Sequence, residues 1–279
     1  YHSFLEKQSS HAGLYTYIRF LFSVLVSCDY YATSEYDNGI EMSAFGTIEN
    51  TEFATQYEQS ERVKQIRRFN PESCVDDKKD INILRNRMFY EAEQTLLKNK
   101  DTNIAFIKAP TGAGKSNLAM NCSLKLLDKN INKIFYVYPF NTLVEQNYDT
   151  LEKIYGQTDI FKSIAVINSI TPIPLNGTRK FWENLDIEEN EKFYQKALLD
   201  RQFLNYPFIL TTHVNLFQIM FGCEREAAIS FYQLAGSVVV LDEIQSYKNV
   251  LWTEIMMFLQ CYSRLLNMKI IIMSATLPK

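Results

Sequence analysis

Three short runs in this sequence, Ile104-Ala105-Phe106-Ile107, Val238-Val239-Val240-Leu241 and Ile270-Ile271-Ile272-Met273, carry no polar residue at alternate positions. A strand with one wet face alternates; a strand apolar on both faces belongs inside a parallel sheet with helices covering each side. Stretches of helical spacing separate the runs, so the chain reads as α/β with a mainly parallel sheet. Strands are expected at Ile104–Ala109, Lys133–Tyr138, Ser163–Ile167, Phe208–Thr211, Ser237–Leu241 and Lys269–Met273. Helices are expected near Lys115–Asp128, Thr142–Tyr155, Val214–Phe221 and Leu251–Asn267.

Ahead of this alternation, Leu14, Ile18, Leu21, Phe22, Leu25 and Val26 recur at spacings of three and four, which predicts a helix over Gly13–Ala32 buried through that broad apolar face, with Asp29 near its end. Between Thr33 and Asp80 the composition turns to Glu, Asp, Ser, Lys and Asn, with a helix expected near Phe53–Phe69 and a loop at Asn70-Pro71-Glu72-Ser73. This stretch is a candidate boundary between two units. Thr171 to Asn205, with Pro172, Pro174 and the charged Asp186-Ile187-Glu188-Glu189, breaks the rhythm and reads as an insertion.

A composition of 47% hydrophobic and 22% charged residues excludes a disordered chain, and 279 residues suit roughly two domains. The balance of 29 Lys and Arg against 32 Asp and Glu gives a net charge of −3, so any contact with nucleic acid has to come from local loops rather than from excess positive charge. Cys28, Cys74, Cys122, Cys223 and Cys261 are scattered without a C-x-x-C pair, which argues against a disulfide framework or a zinc site and for a reducing, cytoplasmic location. Leu14–Val26 is too short, and too interrupted by Thr16, Arg19 and Ser23, to span a bilayer, so no membrane partner is expected. Leu25-Val26-Ser27-Cys28 has the outline of a lipoprotein cleavage box but lacks a short basic start before it. The chain opens on Tyr1 and stops at Leu277-Pro278-Lys279, ends that read like cuts through a longer protein.

The most informative segment is Ala109-Pro110-Thr111-Gly112-Ala113-Gly114-Lys115-Ser116, which follows an expected strand and opens an expected helix. That is the context of a phosphate-binding loop. Gly112 and Gly114 let the backbone wrap a polyphosphate so that amides and the helix N-terminus face its charge. Lys115 supplies a point charge to the outer phosphates, and the Ser116 hydroxyl suits Mg²⁺. Ala109 stands where the general pattern has its first glycine.

Leu241-Asp242-Glu243-Ile244-Gln245 places two carboxylates at the C-terminal end of an apolar strand, the end where open α/β sheets bind ligands. Nucleotide hydrolysis needs a carboxylate in the metal shell and a group that orients the attacking water. Asp242 suits the first role and Glu243 the second. Alone, such a pair is often just a solvated strand end; the phosphate loop upstream gives it weight. Met273-Ser274-Ala275-Thr276 closes the last strand with hydroxyls that reach toward these acids, though by itself it reads as ordinary turn residues.

Together, Ala109–Ser116, Asp242-Glu243-Ile244-Gln245 and Ser274-Ala275-Thr276 resemble motifs I, II and III of superfamily-two helicases, in order and in strand placement. The resemblance implies a RecA-like domain that binds ATP and Mg²⁺ through Pro110, Thr111, Gly112, Ala113, Gly114, Lys115, Ser116 and Asp242. It also implies Lys115, Asp242, Glu243 and Gln245 in catalysis, and Ser274 and Thr276 in coupling. Tyr138-Pro139-Phe140-Asn141-Thr142 is similar to motif Ia and Thr211-Thr212-His213 to motif Ib, which implies that Pro139, Asn141, Thr142, Thr211 and Thr212 touch the backbone of single-stranded DNA. A strand followed by an N-capping Asn or Thr is the plain alternative for each, and His213 reads as a helix-start residue rather than a catalytic one.

Gln245 at the fourth position of the second motif is similar to the CRISPR-associated helicase-nucleases of type I systems. Leu21–Thr33 resembles the end of the HD-type nuclease domain that precedes the helicase there, which implies Asp29 as a ligand of a divalent transition metal. Only His2 and His11 precede Asp29, and no His-Asp dipeptide does. The resemblance divides the chain into an all-α remnant of an HD-type domain (1–48), a helical connection (49–84) and a first RecA-like lobe (85–279). It implies ATP-driven DNA unwinding in antiviral defence, recruited by an RNA-guided surveillance complex, and a second RecA-like domain with no counterpart here, so that this chain alone would bind ATP without unwinding. Another superfamily-two DNA or RNA helicase and an inactive nucleotide-binding module are the competing readings.

Overall fold

The computed structural model describes residues 2–39, 45–49, 51–68, 81–110, 112–168, 187–244 and 252–275. The expected loop at 70–73, the first part of the insertion (171–186), Thr111, Gln245 and Thr276 lie outside them.

Six strands, β1 (Ile104–Lys108), β2 (Lys133–Tyr138), β3 (Ile164–Ile167), β4 (Phe208–Thr212), β5 (Ser237–Asp242) and β6 (Lys269–Ser274), form one sheet in the order β1-β6-β5-β2-β4-β3. Every pairing is parallel. The apolar runs explain the positions. On β2 and β5 the side chains point alternately into two cores: Ile134, Tyr136, Tyr138, Val238 and Val240 into one, Phe135, Val137, Val239 and Leu241 into the other. Water is excluded from both faces, and each fully buried aliphatic side chain contributes about 1.5–3 kcal/mol.

The helices are α1 (His2–Asn38), α2 (Glu52–Gln59), α3 (Glu61–Arg67), α4 (Ile81–Lys98), α5 (Lys115–Lys125), α6 (Asn141–Tyr155), α7 (Ile187–Gln202), α8 (His213–Phe221), α9 (Arg225–Ile229) and α10 (Trp252–Leu265). Residues of α2, α3, α5 and α6 build the first core, and residues of α8 and α10 build the second. The expected helix at Phe53–Phe69 divides at Ser60, whose backbone is extended (φ −63°, ψ 141°) and whose hydroxyl donates to Tyr57 O at 2.7 Å. Phe53, Tyr57 and Val63 from this pair enter the first core. Arg67 pairs with Glu58 and Glu93 at 2.7 Å each, and Asn121 Nδ2 donates to Glu93 at 2.6 Å, which clamps α3 to α4 and α5. Within the expected insertion, α7 is anchored by Arg201, which donates to Val166 O (3.1 Å) and Asn168 O (2.9 Å) beside β3.

The orientation of α1 overturns the expectation for its buried face. Leu14, Ile18, Leu21, Phe22 and Leu25 are exposed, and Ala12, Thr16, Arg19, Ser23 and Ser27 pack against the rest of the molecule. The surface that α1 covers is rich in main-chain carbonyls, so it selects donors over hydrocarbon. Arg19 Nη2 and Nε donate to Ile219 O (2.7 and 3.1 Å), and Nη1 donates to Gly222 O (2.8 Å). These carbonyls lie at the C-terminus of α8, where a cation also opposes the helix dipole. The Ser23 and Ser27 hydroxyls donate to Ile229 O at 2.7 and 3.0 Å, at the end of α9. No helix among the described residues is long and apolar enough to cross a membrane.

Candidate nucleotide-binding site

Because all strands run parallel, their C-terminal ends share one edge of the sheet, and the sequence-predicted residues collect there. Pro110 and Gly112–Ser116 follow β1, Pro139 and Asn141 follow β2, Thr211 and Thr212 close β4, Asp242 and Glu243 close β5, and Ser274 closes β6. β6 lies between β1 and β5, so the strand carrying Ser274 separates the glycine loop from the acids. Ala109 N donates to Ser274 O at 3.3 Å, which fixes the start of the loop.

Gly112 and Gly114 have φ of 81° and 82°, a left-handed conformation that side chains with a Cβ resist. Gly114 is the N-cap of α5 and supplies no side-chain cap, so the first amides of that helix are left to a ligand. Lys115 Nζ makes an ion pair with Glu243 Oε1 across the sheet edge. Glu243 itself has φ of 51°, a conformation costing about 1 kcal/mol or more in a residue with a Cβ. It is held from both sides: its amide donates to Met273 O at 2.9 Å, and Leu241 and Ile244 are fully buried in one core.

Asp242 is the half-buried partner. Burial, reinforced by the charge of Glu243, pushes its carboxyl up to about 6. Its Oδ1 is buried without a hydrogen-bond partner. An orphaned carboxylate oxygen is a hard donor, and with the Ser116 hydroxyl in the first turn of α5, at the same edge of the sheet, it makes a donor set that fits Mg²⁺.

The remaining expected residues are placed as follows. Thr142 is exposed, and Asn141, the first residue of α6, keeps Oδ1 buried without a hydrogen-bond partner. The Thr211 hydroxyl is held internally, donating to Ile167 O (2.6 Å) and accepting from Asn215 Nδ2 (2.9 Å). Thr212 is half-buried and caps α8, accepting from Asn215 N at 3.4 Å. His213 is fully buried, and burial pushes its imidazole down to about 4. Asp29 lies on the exposed side of α1 with Arg225 Nη2 3.8 Å away. Among the described residues no three His, Cys, Asp or Glu side chains gather in a metal-binding group.

A family model for DEAD/DEAH box helicases matches residues 90–279. The chain belongs to the DEAD/DEAH box helicase family. Within it, the similarity runs to Cas3 proteins. The chain is 23% identical over 186 residues to a CRISPR-associated nuclease/helicase Cas3 of Haloferax volcanii, a match covering 63% of this chain and 19% of the relative. The crystal structure of T. fusca Cas3-ADP has the same fold, with a TM-score of 0.50 and 18% identity over 70% of this chain and 22% of that one. The chain spans about a fifth of the length of these relatives.

One residue that reaches the glycine loop carries no signal in the sequence. Arg85 of α4 donates through Nε to Gly112 O (2.8 Å) and through Nη1 to Asn82 Oδ1 (3.2 Å). Arg85 and Asn82, with Gln65, Phe89, Gly114 and Asn117, line a cleft of about 690 Å³ beside the loop. The Arg85 contact joins residues 27 apart, a distance at which no local spacing signals a partnership.

Proposed function

We propose that this chain is the ATP-binding lobe of a Cas3-like helicase-nuclease that moves along single-stranded DNA in antiviral defence, recruited by an RNA-guided complex. The observation that carries the reading is the convergence of the glycine loop with Asp242 and Glu243 on one sheet edge, closed by the Lys115–Glu243 ion pair. In this reading the amides of Gly112–Ser116 hold the phosphates of ATP, and Lys115 exchanges its carboxylate partner for the outer phosphates. That exchange releases Glu243 to orient the attacking water, and Gln245 takes part in catalysis. Ser116 and Asp242 would hold Mg²⁺, which supplies charge neutralisation on the phosphates. The cleft lined by Gln65, Asn82, Arg85 and Phe89 receives the base. Pro139, Asn141, Thr142 and Thr212 face the DNA backbone, Thr211 supports them from within, and Ser274 and Thr276 relay the nucleotide state.

The reading is tested in the full-length protein by Lys115→Ala, which is expected to abolish ATPase activity stimulated by single-stranded DNA. Normal stimulated turnover in that variant would refute the assignment of the loop. The same assay with single-stranded RNA separates this proposal from an RNA helicase, because a cleft that tracks the backbone encodes no sugar preference by itself.

A further inference from the structure

Two exposed apolar side chains stand among the polar ones at the C-terminal edge of the sheet. Phe140 is 63% exposed and Val214 67% exposed, and neither belongs to either core. Tyr138 of β2 lies opposite Thr212 of β4, and Phe140 and Val214 follow these two residues by two positions each. Both therefore share the edge where Asn141, Thr142 and Thr212 collect.

The Phe140 ring does nothing for the helix it precedes. Phe140 is the N-cap of α6, with an extended backbone (φ −141°, ψ 152°), and its carbonyl accepts from Leu143 N (3.2 Å) and Val144 N (3.3 Å). A carbonyl of any residue could do that. The favoured N-cap residues are Ser, Thr, Asp and Asn, whose side chains accept from the first turn; a phenyl ring cannot, and α6 has no side-chain cap. At the end of β4 the cap is made: Thr212 accepts from Asn215 N at 3.4 Å to start α8. The backbone of Phe140 is thus pinned at the start of α6, while its ring serves neither cap nor core.

The charge of this edge points to what covers the ring. Residues 138–142 and 211–214 contain no Lys or Arg, and His213 is fully buried, so these two segments offer a phosphate no cation. Affinity for a single strand rests on charge and on bases stacked against aromatic side chains; where the charge is missing, the aromatic side chain supplies the grip. Resting on the reading of this chain as a lobe that moves along single-stranded DNA, we propose that Phe140 is a base contact: its ring stacks on a nucleobase of the strand whose backbone runs over Asn141, Thr142 and Thr212. Every base has a π-face, so the contact holds a strand without selecting its sequence.

The test measures binding of two labelled strands of equal length to the full-length protein by fluorescence anisotropy, one of oligo-dT and one abasic throughout, over a range of salt concentrations. Phe140→Ala is expected to weaken binding of oligo-dT about tenfold and to leave binding of the abasic strand at the parental level. The salt dependence on oligo-dT is expected to stay parental, because no phosphate contact is lost. Phe140→Trp, which keeps a stacking face, is expected to bind oligo-dT at least as tightly as the parent. Parental affinity of Phe140→Ala for oligo-dT, an equal loss on both strands, or a Phe140→Trp variant as weak as Phe140→Ala would each overturn the role of Phe140 and leave the strand-binding reading standing. A parental protein that binds neither strand would overturn that reading, and the role of Phe140 with it.

Discussion

Glu243 acts on two neighbours in the site. It neutralises Lys115, and its charge is the second cause, after burial, of the raised Asp242 carboxyl. In the proposed function a nucleotide displaces it from Lys115. Glu243→Gln removes that competition and lowers the repulsion on Asp242, so ATP is expected to bind several-fold more tightly while hydrolysis is lost; calorimetric titration and single-turnover hydrolysis check the two halves. Weaker ATP binding would show that Glu243 organises the loop rather than competes for it. At this scale the sequence was most legible where function depends on local backbone geometry. Gly112, Gly114 and Lys115 declare themselves because a left-handed turn into a helix demands those residue types in that order. Arg85 did not, since its value lies in reaching Gly112 O from another helix.

At the scale of elements, strand positions were readable to within a residue or so because burial on both faces leaves an unmixed apolar run. The facing of α1 was not. Its apolar stripe obeys helical spacing, but the surface it packs on presents the open carbonyls of α8 and α9, which Arg19, Ser23 and Ser27 satisfy. Periodicity identifies a helix and its two faces; it does not say which face this part of the molecule takes. Truncating Arg19, 9% exposed, is therefore expected to destabilise the chain by about 2–3 kcal/mol, since charge-assisted bonds to buried acceptors are lost. Truncating Leu25, 69% exposed, is expected to change stability by no more than about 0.5 kcal/mol. Urea denaturation of residues 1–279 carrying Arg19→Ala or Leu25→Ala measures both, and a reversed ranking would mean that α1 packs through its apolar stripe after all.

At the scale of the whole molecule, Lys133 ties distant segments together at the sheet edge opposite the candidate site. From the first position of β2 it donates to Phe45 O (3.0 Å), Leu204 O (2.9 Å) and Gln233 Oε1, joining four stretches of chain. Burial pushes its ammonium down to about 7, against about 10.4 in an unfolded chain. Between these values the unfolded state binds more protons, so this site adds stability as pH rises from 7 towards 10 and contributes no slope below 7. The stability advantage of the parent over Lys133→Met is expected to widen across that range; a constant difference in denaturation midpoints would show that Lys133 stays charged in the fold. The sequence by itself determined the parallel α/β architecture, the strands, and the glycine loop and paired acids at the strand ends, because each is encoded by neighbours a few residues apart. Only the tertiary structure decided that β6 lies between loop and acids, that α1 turns its polar face inward, and that Arg85 reaches the glycine loop. These follow from strand order and from buried polar groups finding partners across the chain, and no local pattern specifies such partners.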